Sequence, residues 1–182
     1  MVPIHVQTIH EEHPELSRRN LHRVMRASML ALGVTWVVDL LPEHFVPGAR
    51  LQFGYAARKD RYLKIKQRQF EAGTVVKGRR VIAGRDTDLV YTGRLREEVL
   101  ASAQNLMAVY PTRVTIGLVG PAYFTLRPRR ASTARLAAEV LAVSRRQVRI
   151  LAQAAERGFE LELRKLARGA RLRQVHTTRR AR

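Results

Sequence analysis

The chain has 182 residues and no cysteine, and its 34 Lys+Arg against 15 Asp+Glu give a formal net charge of +19. The missing thiols exclude disulfide scaffolds, thiolate zinc sites, iron–sulfur clusters and cysteine nucleophiles. The length suits one domain of ordinary size, and a hydrophobic fraction of 46% is that of a globular chain, not a wholly disordered one.

In chain order, the spacing predicts a first helix from near Pro14 to about Gly33. Leu21, Val24, Met25, Ser28, Met29 and Leu32 supply one apolar face at three- and four-residue steps. Gly33 alone need not stop this helix, which can continue to Leu41 and should end at Pro42. The most apolar stretch, Met29–Val38, is too short for a membrane span of about 20 residues, and Glu11, Glu12 and Glu15 ahead of it argue against a signal peptide. Residues 42–60 read as an ordered connection anchored by Phe45, Phe53 and Tyr55.

A short helix is expected over Tyr62–Glu71, followed by strand-and-turn material around Gly73, Gly78 and Gly84. Leu89–Tyr91 reads as a buried strand end. Thr92 is placed to cap a helix bearing Leu95, Val99, Ala103 and Leu106. Arg113–Val119 alternates as a strand, with Val114, Ile116 and Leu118 on one face. Gly120-Pro121 turns the chain, and a further short strand is expected at Tyr123–Leu126. Ser144 and Gln147 form a capping box for a last helix. Val148, Leu151, Ala152, Ala155, Phe159, Leu163 and Leu166 make its stripe, and Gly169 is expected to stop it after Arg168. The sum is an α+β fold: a small antiparallel or mixed sheet packed with a long N-terminal and a long C-terminal helix. Residues 1–40 form the N-terminal helical segment and 41–168 the remainder of one domain. Residues 169–182 make a basic, flexible tail.

The charge is unevenly spread: residues 1–60 are nearly neutral, 61–100 carry a surplus of +5 and 101–182 one of +13. After Glu162 there is no acid, so Arg171, Arg173, Arg179, Arg180 and Arg182 form a one-sign end suited to a polyanion or an acidic protein face. A second basic run, Arg58, Lys59, Arg61, Lys64, Lys66 and Arg68 with Tyr55 and Tyr62, could neutralise phosphates and stack on bases, or be a solvated helix face.

Enzyme motifs fail on inspection. Gly73–Gly78 has phosphate-loop glycine spacing, but Arg79-Arg80 stands where Lys-Ser/Thr is required. His10-Glu11-Glu12-His13 has its histidines three apart, not the four of a helical zinc motif. His22 and His44 have no neighbouring pattern of ligands or bases. Asp86 and Asp88 could hold a divalent cation, but the other ligands of a calcium loop are absent, and no Gly-x-Ser-x-Gly elbow occurs. Neither catalytic residues, a cofactor site nor a metal site is expected.

A series of short motifs carries a resemblance. Leu41-Pro42-Glu43-His44-Phe45 precedes Phe53-Gly54-Tyr55, with Arg58, Tyr62 and Lys66 behind it. Then come Leu89-Val90-Tyr91-Thr92-Gly93-Arg94-Leu95-Arg96, Gly120-Pro121-Ala122-Tyr123-Phe124 and Val140-Leu141-Ala142-Val143-Ser144. This order, over about residues 41–168, resembles the neck or tail-completion proteins of tailed bacteriophages. The resemblance implies a non-enzymatic virion component at the head–tail junction, assembled in the host cytoplasm. It further implies a ring of identical subunits, often six, between the head connector or adaptor and the tail tube or terminator. Packaged DNA would pass through it without sequence-specific binding, and no membrane would be involved. Arg58, Arg61, Arg94, Arg96 and the five tail arginines are the candidate contacts with subunits or partners. Arg94 could alternatively pair with Glu97 or Glu98 on its own helix. A sequence-independent nucleic-acid-binding protein is the competing expectation, and a divalent-metal nuclease using Asp86 and Asp88 a third.

Overall fold

The architecture is taken from a computed structural model that describes residues 17–124 and 136–180, with side chains described as far as Arg168. Helix α1 spans Arg18–Thr35 and is capped by Ser17, whose hydroxyl accepts from the Asn20 amide at 3.3 Å. Pro14, the expected start, lies outside the described residues. Gly33 does not stop the helix. It lets another element approach, since a Cβ there would stand 2.8 Å from Val114 Cγ2 and 2.9 Å from Met107 Sδ. Beyond Thr35 the backbone widens into a π turn, Trp36–Leu40, and then tightens into a 3-10 turn, Leu41–Phe45, with Pro42 in its first turn. The regular α-helical bonding thus ends at Thr35, ahead of Pro42, and the helical path runs on through Pro42 to Phe45.

The whole run Arg18–Phe45 is long and apolar enough, by length and composition, to cross a membrane, with a mean hydropathy of 1.6 over its best 18-residue window. That is longer than the ten-residue stretch that stands out in the sequence. Half of that window is buried inside the fold. Val24, Met29, Leu32, Trp36, Val37, Leu40 and Leu41 all lie in the interior.

The main partner of α1 is α6, Arg145–Arg180, lying antiparallel to it. Ser28 Oγ donates to the Ala155 carbonyl at 2.8 Å, and Arg23 Nε meets Glu162 Oε1 at 2.6 Å seven residues further along α6. Between these contacts Gly158 faces Ala27 and Ala31, so the two backbones approach closely. The capping box forms as expected: the Gln147 amide donates to Ser144 Oγ at 3.2 Å, and the Ser144 amide donates to Gln147 Oε1 at 3.3 Å. Within the expected stripe, Leu151 and Ala155 are buried and Phe159, Leu163 and Leu166 half-buried, while Val148 and Ala152 face outward. Gly169 does not end α6, which continues to Arg180. A single interior glycine costs a helix only about 1 kcal/mol, and good helix formers surround this one.

Helices α2 (Ala49–Phe53), α3 (Asp60–Glu71) and α4 (Arg94–Asn105) follow the 3-10 turn. Gly93, not Thr92, caps α4, with φ 79°. Leu95, Val99 and Ala103 are its buried face, and Leu106 falls just beyond its end, half exposed. The strands form two separate antiparallel pairs. β1 (Val75–Val76) pairs with β2 (Arg79–Arg80) across Lys77-Gly78, both at positive φ as a primed hairpin turn requires. The glycine spacing that resembles a phosphate loop is this hairpin. β3 (Met107–Val109) pairs with β4 (Val114–Ile116) and packs on α1.

Two expected strands are not found among the described residues. Leu89 and Val90 are buried in irregular chain, tied by the Ile82 amide donating to the Tyr91 carbonyl at 2.9 Å. Tyr123 and Phe124 form a turn in which the Phe124 amide donates to the Pro121 carbonyl, and residues 125 and 126 lie outside the described residues. A short helix that the sequence reading does not anticipate, α5 (Leu136–Val140), places Val140 in the core. The core joins α1, the π and 3-10 turns, α4, α5 and α6 through Leu41, Phe45, Val90, Val99, Val140 and Leu151.

Candidate functional site

The motif residues converge on one interior polar cluster. The 3-10 turn carries His44 inward, where it is fully buried. Gly48 and Gly54, at φ 79° and 66°, bracket α2 in the left-handed region that favours glycine. These turns bring Phe53 and Tyr55 back over His44. The His44 and Phe53 rings stack at 3.9 Å between centroids, and His44 Nδ1 shares a hydrogen bond with the Tyr55 hydroxyl. His44 Nε2 is buried with no hydrogen-bond partner. Burial holds the imidazole pKa down to about 4, outweighing the nearby Glu139 backbone and the Glu43 carboxylate, which favour the cation. Burial likewise pushes the Tyr55 phenol above its ordinary value, with Glu139 adding to the effect.

Beside this stack, Glu139 of α5 receives both Arg58 terminal nitrogens, Nη1 at 3.1 Å from Oε1 and Nη2 on Oε2. The Ala56 amide also donates to Oε1, at 3.3 Å. Gln147 of α6 is fully buried and donates to the Leu40 carbonyl at 3.3 Å and to Glu43 Oε2 at 3.1 Å, while Arg146 holds the other Glu43 oxygen at 3.0 Å. On α3, Lys66 is buried and donates from Nζ to the Thr87 carbonyl. Burial lowers its pKa to about 8, against the opposing pull of Asp88 and Asp86. The cluster is thus a set of ties between segments that are distant in sequence. Apart from the solvent-facing Arg146 and the partly exposed Glu43, its functional groups face one another.

Three sequence expectations are corrected here. Arg58 is not a surface contact, because its side chain is 9% exposed and fully engaged by Glu139. Lys66 is not available to a phosphate, because it is spent on the Thr87 carbonyl. Tyr55 is equally interior. Periodicity cannot show this, because α3 is short and basic all round. A usable signal is Glu139, a lone acid in the apolar run Leu136–Leu141, since a carboxylate in such a setting needs a cationic partner.

The surface keeps the remaining candidates. Arg61, Lys64 and Arg68 recur on the outer face of α3 and, with Ile65, line a cleft of about 450 Å³. Arg94 pairs with Glu98 at 2.6 Å on its own helix, while Glu97 takes Arg79 from β2 at 2.5 Å. Arg96 is exposed. The side chains of Arg171, Arg173, Arg179 and Arg180, and the whole of Arg182, lie outside the described residues, as does His10-Glu11-Glu12-His13. A second cleft, of about 520 Å³, lies between α1 and the β3–β4 turn and is lined by His22, Arg23, Arg26, Val109, Tyr110 and Pro111. Asp86 and Asp88 sit in the loop beside Lys66, and among the described residues no group of three or more potential metal-binding side chains assembles. Compared with family models, curated proteins and solved structures, the chain finds no match.

Proposed function

We propose that the chain is a structural virion protein of a tailed bacteriophage, part of the neck that joins the head connector to the tail. The observation that carries this reading is the fate of the motif series. His44, Phe53, Tyr55, Arg58, Lys66, Leu89, Val90 and Leu95 all serve the interior, tying helices and irregular segments into one body. Residues that build a scaffold in this way suit a protein whose work is assembly. The outward surplus of arginine suits contact with acidic faces of neighbouring subunits, which arginine binds bidentately. A closed ring of identical copies, six on the family pattern, is the assembly we propose, since heterologous contacts that close give cyclic symmetry. Disrupting the gene in the parent phage should yield filled heads and complete tails that fail to join. Intact virions without the protein, or density for it away from the neck in cryo-electron microscopy, would overturn the reading.

Sequence-independent nucleic-acid binding is the second reading, and the outer face of α3 favours it. Arg61, Lys64 and Arg68 stand exposed at helical spacing with Ile65 between them. Under this reading, affinity for DNA falls steeply with salt, and Arg61→Glu with Arg68→Glu abolishes it.

A further inference from the structure

We propose that the cleft between α1 and the β3–β4 turn binds single-stranded nucleic acid, its arginines holding phosphates and Tyr110 stacking on a base. Arg26 stands three residues after Arg23 and four after His22, so one exposed face of α1 carries all three. Across the cleft of about 520 Å³, the Tyr110 amide donates to the Arg113 carbonyl at 2.9 Å and closes the turn containing Pro111. That turn presents Tyr110, 44% exposed, with the Arg113 guanidinium 4.7 Å from its ring centre. Three arginines from two elements thus gather around one cleft. Two of them are already held. Arg23 Nε binds Glu162 Oε1 at 2.6 Å, and Lys165 takes the other oxygen at 3.2 Å. Arg113 is held by the Tyr110 ring. Among the described residues at this end, one carboxylate against Arg23, Arg26, Arg113 and Lys165 leaves the cleft cationic. Cations positioned beforehand bind at a smaller cost in lost side-chain freedom.

The lining decides which kind of polyanion fits. Val109, Tyr110 and Pro111 give the cleft an apolar and aromatic wall beside its cations. A single strand uses both, with phosphates on the guanidinium groups and an unstacked base on the ring or on the Arg113 plane. A duplex keeps its bases stacked inside, so the ring would go unused. An acidic peptide has carboxylates for the arginines but need offer no flat face to Tyr110. The cleft on α3 differs in this respect, since Arg61, Lys64 and Arg68 are joined there by Ile65 and by no aromatic ring. The inference is independent of the neck reading, and it assigns single strands to a surface other than α3.

Fluorescence anisotropy of the full-length chain with labelled oligothymidine, and with an abasic strand of the same length, tests this. Oligothymidine should bind at least about fivefold more tightly than the abasic strand, the effect of one stacked base. Tyr110→Ala should erase that ratio, and Tyr110→Phe should keep it. Arg26→Glu with Arg113→Glu should weaken both strands at least about tenfold, whereas Arg61→Glu with Arg68→Glu should leave oligothymidine bound. Equal affinity of the unchanged chain for the two strands overturns the proposal, so a variant that does not fold leaves the test intact. A ratio unmoved by Tyr110→Ala overturns it as well. Loss of oligothymidine in the α3 variant would place the strand on α3, and displacement of oligothymidine by polyglutamate at equal charge would assign the cleft to an acidic protein face. Either result overturns the proposal.

Discussion

Arg58 and Glu139 meet inside the fold, 81 residues apart in sequence, with both guanidinium nitrogens on the two carboxylate oxygens. The pair fastens α5 to the chain entering α3, and the Ala56 amide shares the same carboxylate. Losing one partner leaves the other as an uncompensated buried charge. Arg58→Ala should therefore cost about 3–5 kcal/mol, and Arg58→Met with Glu139→Leu distinctly less. Urea unfolding of the two variants tests this, and equal losses would contradict a coupled pair.

His44 predicts acid sensitivity. Its folded pKa of about 4 lies below the ordinary 6.5, so between those values the unfolded chain binds the proton more readily. Stability from this group is complete above pH 6.5 and is lost as pH falls to about 4, a total on the order of 3 kcal/mol. His44→Phe should flatten that limb in denaturation series at the two ends of the window. A limb of unchanged slope would place the acid sensitivity elsewhere.

Lys66 acts in the alkaline range. Burial lowers its pKa from 10.5 to about 8, so its charged form is penalised in the fold below that value. As pH rises from about 8 toward 10.5 the penalty is relieved and stability climbs, by at most about 1.4 kcal/mol per pH unit. Tyr55 works the other way above pH 10, because its raised pKa keeps the phenol protonated in the fold while the unfolded chain ionises. Lys66→Met should abolish the climb and leave the fall. Unfolding midpoints across this range report both.

Gly158 sets the spacing of α1 and α6. A Cβ there would stand 2.7 Å from Ala31 Cβ and 2.9 Å from the Ala27 carbonyl oxygen, so backbone must move. Gly158→Ala should destabilise by about 1–3 kcal/mol despite alanine's better helix propensity. A raised melting temperature would contradict that close approach.

Magnesium, manganese and zinc should support no nuclease or nucleotidase turnover by the purified chain, given the lack of a complete catalytic constellation in its sequence. Metal-dependent cleavage that disappears in Asp86→Ala or Asp88→Ala would sink the scaffold reading.

The long helices and the Ser144–Gln147 box were legible because they repeat a pattern over many residues or use local chemistry. Leu89–Val90 misled because a short apolar run fits any buried segment, and here no neighbouring strand offers a ladder. The interior cluster was hidden for a different reason. Arg58 and Lys66 look like their exposed neighbours Arg61 and Lys64, and what separates them is the distant Glu139 and the Thr87 carbonyl. Pairing across 81 residues leaves no periodic trace at either end.

The π turn at Trp36–Leu40 has a consequence for insertions and deletions. Its hydrogen bond from the Leu41 amide to the Trp36 carbonyl spans five residues instead of four, as though one residue had been added to a regular helix. Removing a single outward residue such as Val38 should let the segment re-close as an ordinary α-helix, keeping Trp36, Val37 and Leu40 in phase with the core. Removing one residue from the middle of α1 or α6, where no such slack exists, would rotate everything downstream by about 100°. The chain can thus change length by one at this point, and homologous chains are expected to differ in length there before they differ within the α1–α6 pair.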